Sequence, residues 1–139
     1  MTMQTTFAII KPDAVADGNT GKIIAAIEEN GFRIAAMKKL NLTQTQAEGF
    51  YAVHKERPFF NDLVTFMTEG PVVAMILEKD GAILAWRNLM GATNPKDAEE
   101  GTLRKLYGAG IERNATHGSD AEDTAAYEKS YFFNAFEQN

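Results

Sequence analysis

The chain has no cysteine among its 139 residues, which excludes disulfides, thiolate nucleophiles and cysteine zinc sites. We expect a cytoplasmic location, since proteins of reducing compartments do not depend on disulfides. Long apolar runs are also missing. The longest are runs such as residues 71–77, far short of the roughly 18 to 20 residues that a membrane-spanning helix needs. The sequence therefore predicts no membrane partner.

Clusters of basic residues are absent too. The chain carries 14 Lys and Arg against 19 Asp and Glu, a net charge of -5. A nucleic-acid partner held by phosphate neutralisation normally needs a basic face, so we expect no specific nucleic-acid binding. Four basic residues, Lys11, Arg57, Arg87 and Arg104, stand singly along the chain. They can act together only if the fold gathers them.

The composition is typical of a folded domain. It is 45% hydrophobic and 24% charged, close to the globular averages of about 45 to 50% and about 25%. A chain of this length builds one hydrophobic core. We therefore expect a single domain over residues 1–139.

Hydrophobic periodicity predicts alternating strands and helices. Strands are predicted at residues 5–11, 32–42 and 72–78, with a short fourth strand as an option at 115–118. Helices are predicted between residues 18 and 31, from the caps at 43–46 to Pro58, at 61–68, at 80–90 and from Ser119 onward. Residues 91–113 are predicted to form a long loop with short helical pieces. The pattern indicates a ferredoxin-like α+β sandwich, in which a four-stranded antiparallel sheet carries helices on one face.

Only two histidines are available for chemistry, His54 and His117. His54 lies at helical spacing beside Tyr51, which favours a partly buried packing residue. His117 stands among small and polar residues, just before the capping-box pattern headed by Ser119. A helix N-terminus there would favour an anionic phosphate, and a neutral imidazole is a good nucleophile near neutral pH.

Glu128 lies about two and a half turns into that predicted helix and can reach back toward the second ring nitrogen of His117. From the residues alone, two interpretations of His117 stay open. It is either a reactive histidine or a loop histidine satisfied by local hydrogen bonds.

The glycines at 18 and 21, followed by Lys22, superficially suggest a phosphate-binding loop. A P-loop needs four residues between its glycines and Ser or Thr after the lysine. Here two residues separate the glycines and Ile23 follows the lysine, so we interpret the segment as a helix start.

Six motifs in order resemble those of nucleoside diphosphate kinases. Residues 114–120, Asn-Ala-Thr-His-Gly-Ser-Asp, resemble the active-site signature N-x-x-H-G-S-D of that family. The other matching segments are residues 9–14, 50–51 with 54–60, 70–73, 89–95 and 101–104. The resemblance extends along nearly the whole chain.

The resemblance implies a phosphotransferase that maintains NTP and dNTP pools. The terminal phosphate of a nucleoside triphosphate, typically ATP, would pass to a nucleoside diphosphate by a ping-pong mechanism through phosphorylated His117. Glu128, with Ser119, resembles the pair that orients the histidine ring. The side chains that match the triphosphate contacts are Lys11, Arg87, Thr93 and Arg104, with Tyr51 beside the reacting phosphate.

The resemblance also implies how the rest of the nucleotide is held. Asn114, along with Lys11, resembles the contact to the ribose hydroxyls. Phe59 resembles the aromatic that stacks on the base, and Ile111 occupies the apolar position opposite it. A magnesium ion would be held mainly by nucleotide phosphates and water, with no protein metal ligand. A homo-oligomer is expected, as a dimer, tetramer or hexamer.

The chain departs from the family pattern at two positions. Glu100 stands where many members have proline, which could loosen the loop, and Glu112 stands where glycine is common. Neither replaces a group that touches phosphate, so we expect activity to survive. Two rival functions remain: a non-catalytic binding module on the same fold, and a degenerate member that binds nucleotides without turnover. Neither rival would form acid-labile phosphate on His117.

Overall fold

The computed structural model describes residues 3–138, and a four-stranded sheet lies at its centre. Its strands are β1 (Met3–Ile10), β2 (Arg33–Leu40), β3 (Val72–Asp80) and β4 (Thr116–Gly118). Their order is β2-β3-β1-β4, and every neighbouring pair is antiparallel. The predicted ferredoxin-like α+β class, including the optional fourth strand, is confirmed.

Helices fill the connections between strands. The α-helices are α1 (Pro12–Ala16), α2 (Thr20–Glu29), α3 (Gln44–Phe50), α4 (Phe60–Met67), α5 (Ala82–Met90), α6 (Leu103–Tyr107) and α7 (Glu122–Phe132). Short 3₁₀ helices lie at Ala52–His54, Pro95–Asp97 and Ala135–Gln138. The predicted capping box of α3 is present between Thr43 and Gln46. Within residues 3–138, no helix is both long and apolar enough to span a membrane.

Both faces of the sheet are covered by helices. One core contains Ile23 and Ile27 of α2 and Trp86 of α5; the other contains Phe50 of α3 and Met67 of α4. Residues 7–10 of β1 are fully buried and contribute alternately to the two cores. The prediction of helices on one face was wrong. A central strand that is buried on both sides appears in the sequence as a continuous apolar run, which does not reveal the second layer.

Strand β2 contains an irregularity that its sequence pattern conceals. Apolar residues at even positions of this segment predict one common face, interrupted by Lys38: Ile34, Ala36, Leu40 and Leu42. The pairing register, however, shifts between Ile34 and Ala36. Ile34 consequently packs against the core of Trp86, whereas Ala36 and Leu40 pack against the core of Phe50. An extra residue in a strand reverses the alternation of its side chains, so the placement of Ile34 was wrong.

The start of α7 also differs from the prediction. Ala121, not Ser119, is the residue before the helix, and its N–H donates to Thr124 Oγ1 at 3.0 Å. The N–H of Ser119 instead donates to the carbonyl of Phe7 at 3.2 Å, which continues the pairing of β4 with β1. The backbone of Ser119 therefore continues the strand pairing, where the capping-box pattern had predicted the start of a helix.

Candidate active site

His117 occupies the middle of β4, opposite Ile9 of β1. Its ring meets the rings of Phe7, Phe50 and Tyr51 edge-on, with centroids 5.4 to 6.3 Å apart. The side chain is 20% exposed. The imidazole is therefore held in an aromatic pocket, yet it still reaches the surface.

One edge of the His117 ring is fixed by α7. His117 Nε2 lies 2.8 Å from Glu128 Oε1, and Ser119 Oγ donates to the same oxygen at 2.9 Å. The structure thus brings together His117, Glu128 and Ser119, the histidine and the pair that the family resemblance implies to orient its ring. With Nε2 protonated and donating to the carboxylate, the free lone pair lies on Nδ1.

The backbone of His117 is held from the opposite face of the sheet. Trp86 of α5 is fully buried, and its indole Nε1 donates to the His117 carbonyl at 3.1 Å. Gly118 permits this approach, because a Cβ there would lie 2.5 Å from Trp86 Cδ1. Sequence reasoning placed Trp86 only on the helix. The available signal was that a buried indole N–H needs an acceptor.

A cleft of about 560 Å³ opens beside the turn that links β4 to α7. Its lining includes Arg87 from α5, Arg104 from α6, Thr93, Ser119 and Asp120. The guanidinium of Arg87 pairs with the carboxylate of Asp120 at 2.9 Å, and both side chains are exposed. The fold thus gathers two arginines that lie apart in the sequence, next to the residues that follow His117.

Arg104 is anchored by backbone carbonyls. Its Nη1 donates to Gly91 O at 3.1 Å and its Nη2 to Thr116 O at 3.0 Å. Burial, together with the charge of Arg87, lowers the pKa of Arg104 to about 10. Gly91 (φ 86°) allows the start of α6 to approach the end of α5, since a Cβ there would lie 2.5 Å from Thr102 Oγ1.

A second linked set joins β1 to the loop before β4. Lys11 Nζ donates to Asn114 Oδ1 at 2.9 Å, and Asn114 Nδ2 donates to Thr93 O at 3.0 Å. Lys11 is only 7% exposed, so it is not a solvated strand end. Burial, followed by the charge of Arg104, lowers the pKa of Lys11 to about 8.

Three other predicted site residues lie outside this linked set. The hydroxyl of Tyr51 is buried and has no hydrogen-bond partner in the described part of the chain. Phe59 is 39% exposed with its ring 5.5 Å from that of His54, and Ile111 is 60% exposed. Neither Phe59 nor Ile111 lines the cleft of Arg87 and Arg104. His54 is half-buried between aromatic rings, as a packing residue would be.

Residues 4–138 match the family model described as nucleoside diphosphate kinase. The chain belongs to the nucleoside diphosphate kinase family. A nucleoside diphosphate kinase of Trichlorobacter lovleyi is 63% identical over 97% of this chain and 98% of its own. One from Citrifermentans bemidjiense is 62% identical over the same shares.

Solved structures of the family share the fold. The Aquifex aeolicus nucleoside diphosphate kinase is 39% identical and superposes with a TM-score of 0.97 over 99% of this chain and 100% of its own. The Halobacterium salinarum nucleoside diphosphate kinase, solved in complex with CDP, is 38% identical with a TM-score of 0.94 over 99% of this chain and 92% of its own.

Proposed function

We propose that this protein transfers the terminal phosphate of a nucleoside triphosphate to a nucleoside diphosphate, by a ping-pong mechanism through a phosphohistidine at His117. The observation that carries the proposal is the 2.8 Å contact between His117 Nε2 and Glu128, which leaves Nδ1 as the nucleophilic atom. Arg87 and Arg104 line the cleft beside the residues that follow His117.

The reaction divides into two half-reactions. In the first, the Nδ1 lone pair attacks the γ-phosphorus and the bond to the bridging oxygen breaks, so that the electron pair leaves with the nucleoside diphosphate. The positive charge that develops on the ring is balanced by Glu128, which keeps its hydrogen bond to Nε2–H. In the second, a terminal oxygen of another diphosphate attacks the phosphorus, and the N–P electron pair returns to Nδ1.

The surrounding side chains suit a loose phosphoryl-transfer transition state, in which charge accumulates on the peripheral oxygens. Arg87 and Arg104 line the cleft and place two guanidinium charges there, while Lys11 supplies a point charge. Thr93 adds a hydroxyl. Burial and the charge of Glu128 raise the pKa of Tyr51, so its unpartnered hydroxyl stays protonated and can donate to the reacting phosphate.

The sugar and base would be held farther from His117. Asn114 and Lys11 form the polar pair for the ribose hydroxyls. The exposed ring of Phe59 and the exposed Ile111 offer apolar faces to the base. Stacking contacts read no base edge, so purines and pyrimidines would both be accepted. The CDP complex of the halobacterial relative supports the use of nucleotides as partners.

Magnesium is the proposed cofactor. Within residues 3–138, no three His, Asp or Glu side chains gather as a protein cage for a metal, whereas Asp97, Glu99 and Asp120 contribute separate carboxylates to the cleft. Mg²⁺ usually keeps several waters and binds through substrate phosphates with one or two carboxylates, and the donor set fits that arrangement. When bound, the ion would neutralise phosphate charge.

The remaining proposals concern the whole chain. We propose that residues 1–139 form one kinase domain, which the family match over residues 4–138 supports. We propose a cytoplasmic location because the chain has no cysteine. A homo-oligomer is supported by β2, which lies at the edge of the sheet and can pair with another chain. Light scattering of the purified protein measures the subunit number.

Labelling tests the mechanism directly. The protein is mixed with MgATP labelled on the γ-phosphate, freed of nucleotide, and examined for label that survives base but not acid. Wild type and His54→Ala should take up the label and pass it to CDP or GDP, while His117→Ala should take up none. Absence of label on wild type that still binds ADP would identify a nucleotide-binding protein without turnover.

A further inference from the structure

The backbone turns sharply between Asn114 and His117. Ala115 has a φ of 74°, and among residues 3–138 it is the only residue other than glycine with a positive φ. The N–H of Thr116 donates to the carbonyl of Asn114 at 2.9 Å, which closes a three-residue γ-turn around Ala115. A γ-turn with a positive φ is rare and strained for an L-residue with a Cβ. The strain lies two residues before the reactive histidine.

Both polar backbone groups of Ala115 are bound by the segment that follows β1. The N–H of Lys11 donates to Ala115 O at 2.8 Å. The N–H of Ala115 donates to the carboxylate of Asp13 through Oδ2 at 3.1 Å. Ala115 itself is fully buried, so water does not replace either bond. A strained backbone conformation persists only where the surrounding structure holds it in place, and these two hydrogen bonds hold the turn at Ala115.

Asp13 is the side chain in this arrangement whose role is unassigned. It lies in the matching segment of residues 9–14, but the proposed mechanism uses only Lys11 from that segment. Its carboxylate reaches across 102 positions of sequence to accept from the backbone N–H of Ala115. Because that N–H lies between Asn114 and His117, its position affects the ribose contact and the nucleophile together.

We infer that Asp13 is a positioning residue for phosphoryl transfer, which holds the strained turn at Ala115 and thereby aligns His117 with the phosphate. His117 is the acceptor only under the proposed function, and the inference rests on it. Loss of the carboxylate would let the turn relax toward an unstrained conformation. The histidine ring would then shift while the fold and its cores remain.

The test measures the rate of His117 labelling from γ-labelled MgATP by rapid quench, with unfolding temperature and ADP affinity for each variant. Asp13→Ala removes the acceptor, and we expect it to slow labelling about 100-fold, as misplacement of a reacting group by about 1 Å does. Asp13→Asn keeps an acceptor oxygen and should slow labelling only about three-fold. Asp17→Ala, an exposed aspartate at the end of α1, is the matched control and should label at the wild-type rate.

Relief of the strain provides a readout that a purely structural role would not change. Glycine adopts a positive φ freely, so adding Ala115→Gly to Asp13→Ala should restore labelling about ten-fold. The emission of Trp86, the one tryptophan of the chain, should shift in Asp13→Ala and return in the double variant, because its indole binds the His117 carbonyl.

Two results would overturn the role of Asp13: labelling of Asp13→Ala at the wild-type rate, or a loss that Ala115→Gly does not reduce. If Asp13→Ala does not fold, a 100-fold loss in folded Asp13→Asn would overturn it equally, since that variant keeps the acceptor. Failure of wild type to take up label would instead reject the proposed function.

Discussion

Lys11 Nζ donates a 2.9 Å hydrogen bond to Asn114 Oδ1 and thereby joins two residues 103 positions apart in the sequence. Both side chains are buried. The bond fixes the ammonium without neutralising it, because its partner is an uncharged amide. Lys11 therefore remains a positive charge that a nucleotide can use, with a pKa that the surroundings have lowered to about 8.

Nucleotide capture should weaken above pH 8. The free enzyme loses the Lys11 charge as the pH rises through about 8, so kcat/KM, which reports free-enzyme pKa values, should fall with a midpoint near that pH. Lys11→Arg should abolish this fall, since a guanidinium stays charged. A wild-type profile that is flat to pH 10 would contradict the assignment of the charge to Lys11.

The Lys11 ammonium should also make the free energy of unfolding increase at alkaline pH. The folded pKa of about 8 lies below the ordinary value of 10.5, so between these pH values the unfolded state binds more protons and folding becomes more favourable as pH rises. Below pH 8 the cost of burying the charge is fully present. Urea denaturation at pH 7.5 and 9.5 measures the difference in unfolding free energy between the two pH values. Lys11→Met should reduce this difference.

Glu128→Ala should slow phosphorylation of His117 about 10- to 100-fold, by analogy with the loss on removing the hydrogen-bond partner that orients a metal-binding histidine. The ring would lose its 2.8 Å partner at Nε2 and its fixed orientation. Ser119→Ala should cost less, since it removes one hydrogen bond to Glu128 and leaves the carboxylate in place. Single-turnover labelling measures both. Equal rates for Glu122→Ala, on the exposed first turn of α7, and Glu128→Ala would contradict the role of Glu128.

Trp86→Phe should reduce both stability and rate. The variant leaves the His117 carbonyl without its indole donor and opens a small cavity, a loss of roughly 1 to 3 kcal/mol in unfolding free energy. The rate of labelling should fall because β4 is less firmly held. Denaturation and labelling are compared with Leu84→Ala, an exposed position on the same helix that should change neither. A stable, fully active Trp86→Phe variant would show that the indole bond is dispensable.

Phe59→Ala should raise KM about equally for ATP, GTP and CTP. A base that stacks on an aromatic ring gains about 1 to 3 kcal/mol, and this gain does not depend on base identity. The turnover number should change little because Phe59 lies away from the phosphate cleft. Val53→Ala, at a highly exposed position nearby in sequence, is the control. A KM increase confined to purines would indicate contacts other than simple stacking.

The strand and helix pattern was largely predictable, because apolar periodicity follows the burial of each face. The errors arose where contacts between distant segments determine the local structure. The shift between Ile34 and Ala36 in β2 depends on pairing with β3, and Ser119 pairs with β1 instead of capping α7. Helix α1 was not predicted either; it is five residues long, begins at Pro12 and has too little length for periodicity to show.

Residue types and order alone determined the family of this protein, the ferredoxin-like class and the set of chemically capable side chains, because motifs and periodicity are local properties. Only the tertiary structure decided how those side chains meet. It brought Arg87 and Arg104 to one cleft, set Trp86 under the His117 carbonyl, and attached the strained turn at Ala115 to Asp13. These arrangements depend on close approach between segments far apart in the chain, and neither composition nor spacing records such contacts.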